Sequence, residues 1–141
     1  MRKMMVSWTS GVHSVRLPSR SIALLNQKIL GVQKCVPTDF SRKPRAISEL
    51  LRWKATEFRM FLLYTGPFLM KDVLAPAVYN HFLSLHYAIR ILATEAYMEN
   101  SSYAGKLLHY VVSHYGQLYG LENVTYNVHG LQHVVDDCRV H

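Results

Sequence analysis

Apolar side chains recur every three or four residues along most of this chain, and that spacing predicts helices. Ile22, Leu25, Ile29 and Leu30 mark a helix over residues 20–34, with Ser19 as its N-cap. Ile47, Leu50, Leu51, Phe58, Phe61 and Leu62 mark a second over 48–64, capped by Ser48. It contains the stretch RWKATEFRMFLLYTG, and Gly66 followed by Pro67 predicts its stop. The short apolar run PFLMKDVL predicts another turn or two. Val78, Phe82, Leu85, Ile89, Leu92 and Ala96 give the most regular stripe, on a long helix opened by Pro76. Ser101 or Ser102 caps the next, with Tyr103, Leu107, Val111, Tyr115 and Leu118 inward and Gly120 at its end. A last helix begins at Asn123, with Val128, Leu131, Val135 and Cys138 on one face.

Two segments break the helical period. Residues 12–17 (VHSVRL) alternate loosely and meet Pro18, which predicts a short strand or an extended arm. CVPTDFSRKPRA, with two prolines and a Thr-Asp pair, predicts a loop pinned by Val36 and Phe40. The expected architecture is an all-α bundle of five or six helices. An extended basic arm over 1–18 would precede a single helical domain over 19–141.

Bulk composition agrees with a packed domain. Half of the 141 residues are hydrophobic and 18% are charged, outside the range of disordered chains. Cys35 and Cys138 are too far apart in sequence for a metal knuckle and too few for a disulfide framework, so free thiols are expected. The best uncharged run, 73–89, is short for a membrane span and holds Pro76, Asn80, His81 and His86. Residues 1–15 lack the apolar core of a secretory signal.

Charge changes the picture more. The chain carries a net +7, and residues 1–45 hold nine of its 16 Lys and Arg against one acid, Asp39. Residues 46–141 are nearly balanced, with seven cations and eight acids. A polyanion is the natural partner of such a region, and the alternative is a solvated basic face. The candidate nucleic-acid contacts are Arg16, Arg20, Lys28, Lys34, Arg42, Lys43 and Arg45, joined by Arg52 and Lys54 from the next helix.

Catalytic signatures are not found. His129 and His133 share a helix face at i, i+4, with Asp136 and Asp137 a turn later, which is the spacing of a zinc pair. The motif is HGLQH, however, without the glutamate of a metalloprotease, so structural or surface histidines are the favoured reading. The acids form no recognisable pair for Mg²⁺, and there is no Gly-rich phosphate loop and no nucleophile elbow. Tyr103 and Tyr115 are expected in the core, while Tyr110 and Tyr119 are left open for stacking.

Three stretches then carry a resemblance: FSRKPRAISELLRWKATEFRMFLLYTGPFLMKDVL, VYNHFLSLHYAIRILA and LYGLENVTYNVHGLQHVVDD. They resemble the C-terminal region of transposase-like proteins of animal DNA transposons, in the broad CACTA-like group. The similarity extends from about Val15 to the end, and residues 42–66 are its most specific part. It implies a cut-and-paste transposase whose RNase H-like core uses three carboxylates and Mg²⁺, interrupted by a helical insertion that this region resembles. YNVHGLQHVVDD would lead into an aromatic-proline-aromatic-glutamate element, which is not in this sequence. Nor are the first two aspartates of the core, so no catalytic residue is carried over.

The expectation is a transposon-derived, catalytically incomplete helical domain, intracellular and nuclear, needing no cofactor of its own. Its expected partners are DNA, and itself or a related transposase chain, with neither membrane nor small-molecule substrate. The alternative is a helical protein-interaction or oligomerisation module whose basic region is only solvated.

Overall fold

The computed structural model of the protein describes residues 1–11, 15–35 and 45–135. Among the described residues it is all-α, as the spacing predicts: seven α-helices joined by 3₁₀ and π turns, with no strand. The chain divides into two compact units, Met1–Ala75 and Pro76–His141. The boundary therefore falls just before the long helix that opens on Pro76, where the sequence reading placed it at 18/19.

The first unit opens on a helix where an extended arm was expected. Helix α1 spans Arg2–Ser10 and buries Met4, Met5 and Trp8. These residues step by i, i+1 and i+4, a helical pattern that the flanking cations obscure. Ser7, Thr9 and Ser10 return hydroxyl hydrogen bonds to the carbonyls of Lys3, Met5 and Val6. Leu17 N–H then donates to Trp8 O at 2.7 Å, which turns the chain back onto α1. Residues 12–14 of the expected strand lie outside the described residues.

Helix α2 (Ser19–Cys35) matches the predicted segment within one residue at each end. Ser19 is its first helical residue; the first turn is closed by the Pro18 carbonyl, which accepts from Ser21 and Ile22 N–H. Only Leu25 and Ile29 are buried, and Leu30, expected on the same face, is 58% exposed.

The helix predicted over 48–64 is instead four pieces. A 3₁₀ turn covers Ile47–Arg52, and α3 covers Ala55–Met60. A π turn, Phe61–Thr65, leads into α4, Gly66–Met70. Trp53 and Lys54 are extended and split the first two pieces. Gly66 is right-handed helical and does not stop the chain. Pro67 has no N–H to donate, and its ring would crowd the carbonyl four residues back in an α-helix. The wider π turn moves that carbonyl aside, so helix resumes through the proline. The stop comes at Lys71, which is extended, and Asp72, whose φ of 65° lies in the left-handed region that Asp tolerates. Trp8, Trp53 and Phe61 form the aromatic centre, with ring centroids 6.5 Å apart for Trp8–Phe61 and 6.1 Å for Trp53–Phe61.

The second unit is built on a helical hairpin of α5 (Pro76–Ala93) and α6 (Ser101–Tyr119), joined through a 3₁₀ turn at Glu95–Asn100. Val78, Phe82, Leu85 and Leu92 are buried as the α5 stripe predicts, together with His81 and His86. On α6, Val111 and Tyr115 are buried as expected, but at Tyr103, Leu107 and Leu118 the buried residue is the next one along. Ala104, Leu108, Val111, Val112, Tyr115 and Tyr119 are buried, and Tyr103 is 57% exposed. Gly120, at φ 94°, takes a backbone conformation that side chains resist and ends α6. The chain then folds back over Leu121–Asn123. A Cβ on Gly116 would stand 2.8 Å from Leu121 Cδ2, so the exposed Leu121 side chain would have to turn aside to admit one. Helix α7 (Tyr126–Gly130) and a 3₁₀ turn at Leu131–His133 follow.

Candidate nucleic-acid interface

The nine cations singled out in the sequence do not behave alike. Lys28 points inward on the first unit: its Nζ donates to the carbonyls of Phe68, at 3.3 Å, and Lys71. It also stands 5.6 Å from the centre of the Phe68 ring. A cation at the last carbonyls of α4 opposes the negative end of that helix, so Lys28 is a C-terminal cap.

Arg45 is likewise committed. Its Nε lies 3.1 Å from Glu57 Oε2, and the Glu57 side chain is only 5% exposed. The other Glu57 oxygen accepts the Lys54 N–H at 3.2 Å, which makes half of a capping box at the start of α3. Trp53 Nε1–H donates to Ala46 O at 3.4 Å. These contacts fix the extended break between Arg52 and Ala55. They are the reason for the alternating charges in RWKATEF: Glu57 is a buried tie, and Arg52 and Lys54 face outward. Nothing local to Glu57 in the sequence signals Arg45, twelve residues earlier, as its partner.

Arg16, Arg20, Lys34, Arg52 and Lys54 are exposed. Arg42 and Lys43 lie outside the described residues. No acid occurs in residues 1–35. Arg16, Arg20 and Lys34 therefore belong to a stretch with no carboxylate of its own, carried before and along α2.

The histidines sort differently. His129 is on α7 and His133 on the 3₁₀ turn that follows, both exposed. The backbone passes from α to 3₁₀ between them, and Asp136 and Asp137 are outside the described residues. Among the described residues no three His, Cys, Asp or Glu side chains cluster so as to hold a metal ion. Cys35 is a free, exposed thiol, and Cys138 lies outside the described residues.

His81 is the chemically distinctive one. It is fully buried, and its Nε2–H donates to Val111 O at 2.8 Å, across the α5–α6 hairpin. Its Nδ1 and the Tyr115 hydroxyl oxygen find no hydrogen-bond partner among the described residues. The rings of Tyr110, Tyr115 and Tyr119 surround it at 5.9–6.3 Å between centroids. Burial lowers the His81 pKa, partly offset by the Val111 hydrogen bond, and pushes the Tyr115 phenol up to about 12. His81 is thus a neutral core residue.

No helix among the described residues is long and apolar enough to cross a membrane. Comparison with protein-family models, with curated proteins and with solved structures gives no match.

Proposed function

We propose that this chain is a helical, non-catalytic region of a transposase-like protein that contacts nucleic acid through the exposed cations of its first unit. One observation carries the nucleic-acid part. The first 35 residues contain no acid, and Lys28, the described cation seen turned inward there, has protein partners while Arg16, Arg20 and Lys34 remain exposed. The transposase part rests on the resemblance in residues 42–66 and the two later stretches. A nuclear setting accompanies that reading, and no catalytic step is assigned to the chain.

The test is a fluorescence-anisotropy titration of a labelled DNA duplex at two salt concentrations. With three to five phosphate contacts, affinity should fall roughly 40- to 500-fold between 50 and 200 mM salt. Absence of binding at 50 mM salt would overturn the reading.

A second reading, a protein-interaction module, is favoured by the apolar exposure of the second unit. Tyr87, Tyr103, Leu121 and Tyr126 are 53%, 57%, 82% and 89% exposed. Self-association measured by sedimentation, abolished by Tyr103→Glu, would support it over the first.

A further inference from the structure

Helix α2 has a geometry that goes beyond a basic patch. It is attached to its unit by Leu25 and Ile29, and it packs against the 3₁₀ turn at Ile47–Arg52 and against α4. At 100° per residue, Arg20, Gln27, Gly31 and Lys34 fall within an arc of about 60°, directly opposite Leu25 and Ile29. All four are exposed, as are Ala23 and Leu24 beside them. Around Gly31 there is open space: a Cβ there would meet nothing within 4 Å. The described acids exposed in this unit, Glu49 and Asp72, lie on or just after the elements that α2 rests against, and α2 itself carries none.

The outer face is thus a cylinder with small or slender side chains at its middle, one amide at its centre and a cation near each end. Arg20 and Lys34 are separated by about 21 Å along the axis. A helix is 10–12 Å across, close to the roughly 12 Å width of the B-DNA major groove. A glutamine carboxamide can pair with the N6 and N7 edge of adenine, and Leu24 offers apolar contact to a thymine methyl. The A-form major groove of RNA is too narrow for such entry.

We infer that α2 lies in the major groove of duplex DNA, with Gln27 reading a base edge between phosphate contacts from Arg20 and Lys34. This inference rests on the nucleic-acid reading above but can fail without it. The experiment selects duplexes from a randomised library with the full chain, then titrates the selected duplex, a scrambled duplex and the corresponding single strand. The wild type should prefer the selected duplex over both. Gln27→Ala should relax preference at one or two positions, by about 5- to 150-fold against the wrong base. Arg20→Ala with Lys34→Ala should weaken every duplex alike and reduce the salt slope by about 2. All three side chains are exposed, and far-UV circular dichroism checks that the variants stay folded. Equal affinity for single strand and duplex, no selected sequence, or unchanged preference in Gln27→Ala overturns the groove assignment while leaving nucleic-acid binding intact. No binding to any of the three overturns both.

Discussion

The two units bury a titratable group in opposite ways. In the first, Glu57 is buried and faces the Arg45 guanidinium at 3.1 Å, with a backbone N–H on its other oxygen. In the second, His81 is buried among tyrosine rings with one hydrogen bond, and desolvation holds its pKa below the usual value. The first unit consists largely of short pieces, so it fixes them with polar ties that act across the sequence. The second has two long helices whose apolar stripes close on each other, and there burial disfavours the charged form of His81. A buried group is thus stabilised by pairing where local structure is irregular, and neutralised where packing dominates.

The units can be followed separately. Both tryptophans, Trp8 and Trp53, are in the first unit, and eight of the nine tyrosines are in the second. Tryptophan fluorescence therefore reads the first unit, and near-ultraviolet tyrosine dichroism reads mainly the second.

The largest effect is expected from Trp8→Ala, which empties the aromatic centre and should cost about 3–5 kcal/mol. Tryptophan 53 fluorescence would then report an earlier urea midpoint; an unchanged midpoint would show that α1 is not part of the core. Arg45→Met comes next. It leaves the Glu57 carboxylate buried without its cation, and since Arg45 is itself 27% exposed the expected loss is about 2–3 kcal/mol, below the range for fully buried pairs. The loss should appear in the tryptophan signal first. Equal displacement of both signals would contradict the contrast between the units.

Acidification should act on the other unit. A histidine with a lowered folded pKa contributes stability that is present above its unfolded value, about 6.5, and lost as pH falls toward the folded value. The tyrosine-monitored midpoint should therefore drop between pH 7.5 and 5.5, and His81→Gln should flatten that dependence. A pH-independent tyrosine transition in the wild type would count against a neutral buried His81. The smallest effect belongs to Gly31→Ala, which enters open space in a helix interior and should raise the tryptophan midpoint by about 0.5–1 kcal/mol.

Much of this fold was legible from spacing alone. Helix α2 and the buried α5 positions follow from the 3.6-residue period, because a long helix with one apolar stripe has a single way to pack. The short elements were not legible. RWKATEFRMFLLYTG scans as one helix, yet Trp53 is fixed by Ala46 and Glu57 by Arg45, through contacts seven and twelve residues away. Pro67 scans as a stop, but a π turn absorbs it. On α6, Val111 and Tyr115 were placed correctly, but Tyr103 fits the period as well as Ala104 does, and size is settled by the space facing it. In the basic third, charge was visible and direction was not. Nothing local distinguishes Lys28, which caps α4, from Lys34, which faces out.

That distinction yields the most direct test of the account. Lys34→Glu, in the first unit, and Lys106→Glu, at an exposed position of α6 in the second, alter net charge identically. Duplex affinity of both variants would be measured beside the wild type at 50 mM salt. Lys34→Glu should weaken binding about tenfold, roughly 1.4 kcal/mol, and Lys106→Glu should stay near wild type. Equal loss in both variants would mean that net charge alone attracts the duplex, and would contradict a nucleic-acid surface on the first unit.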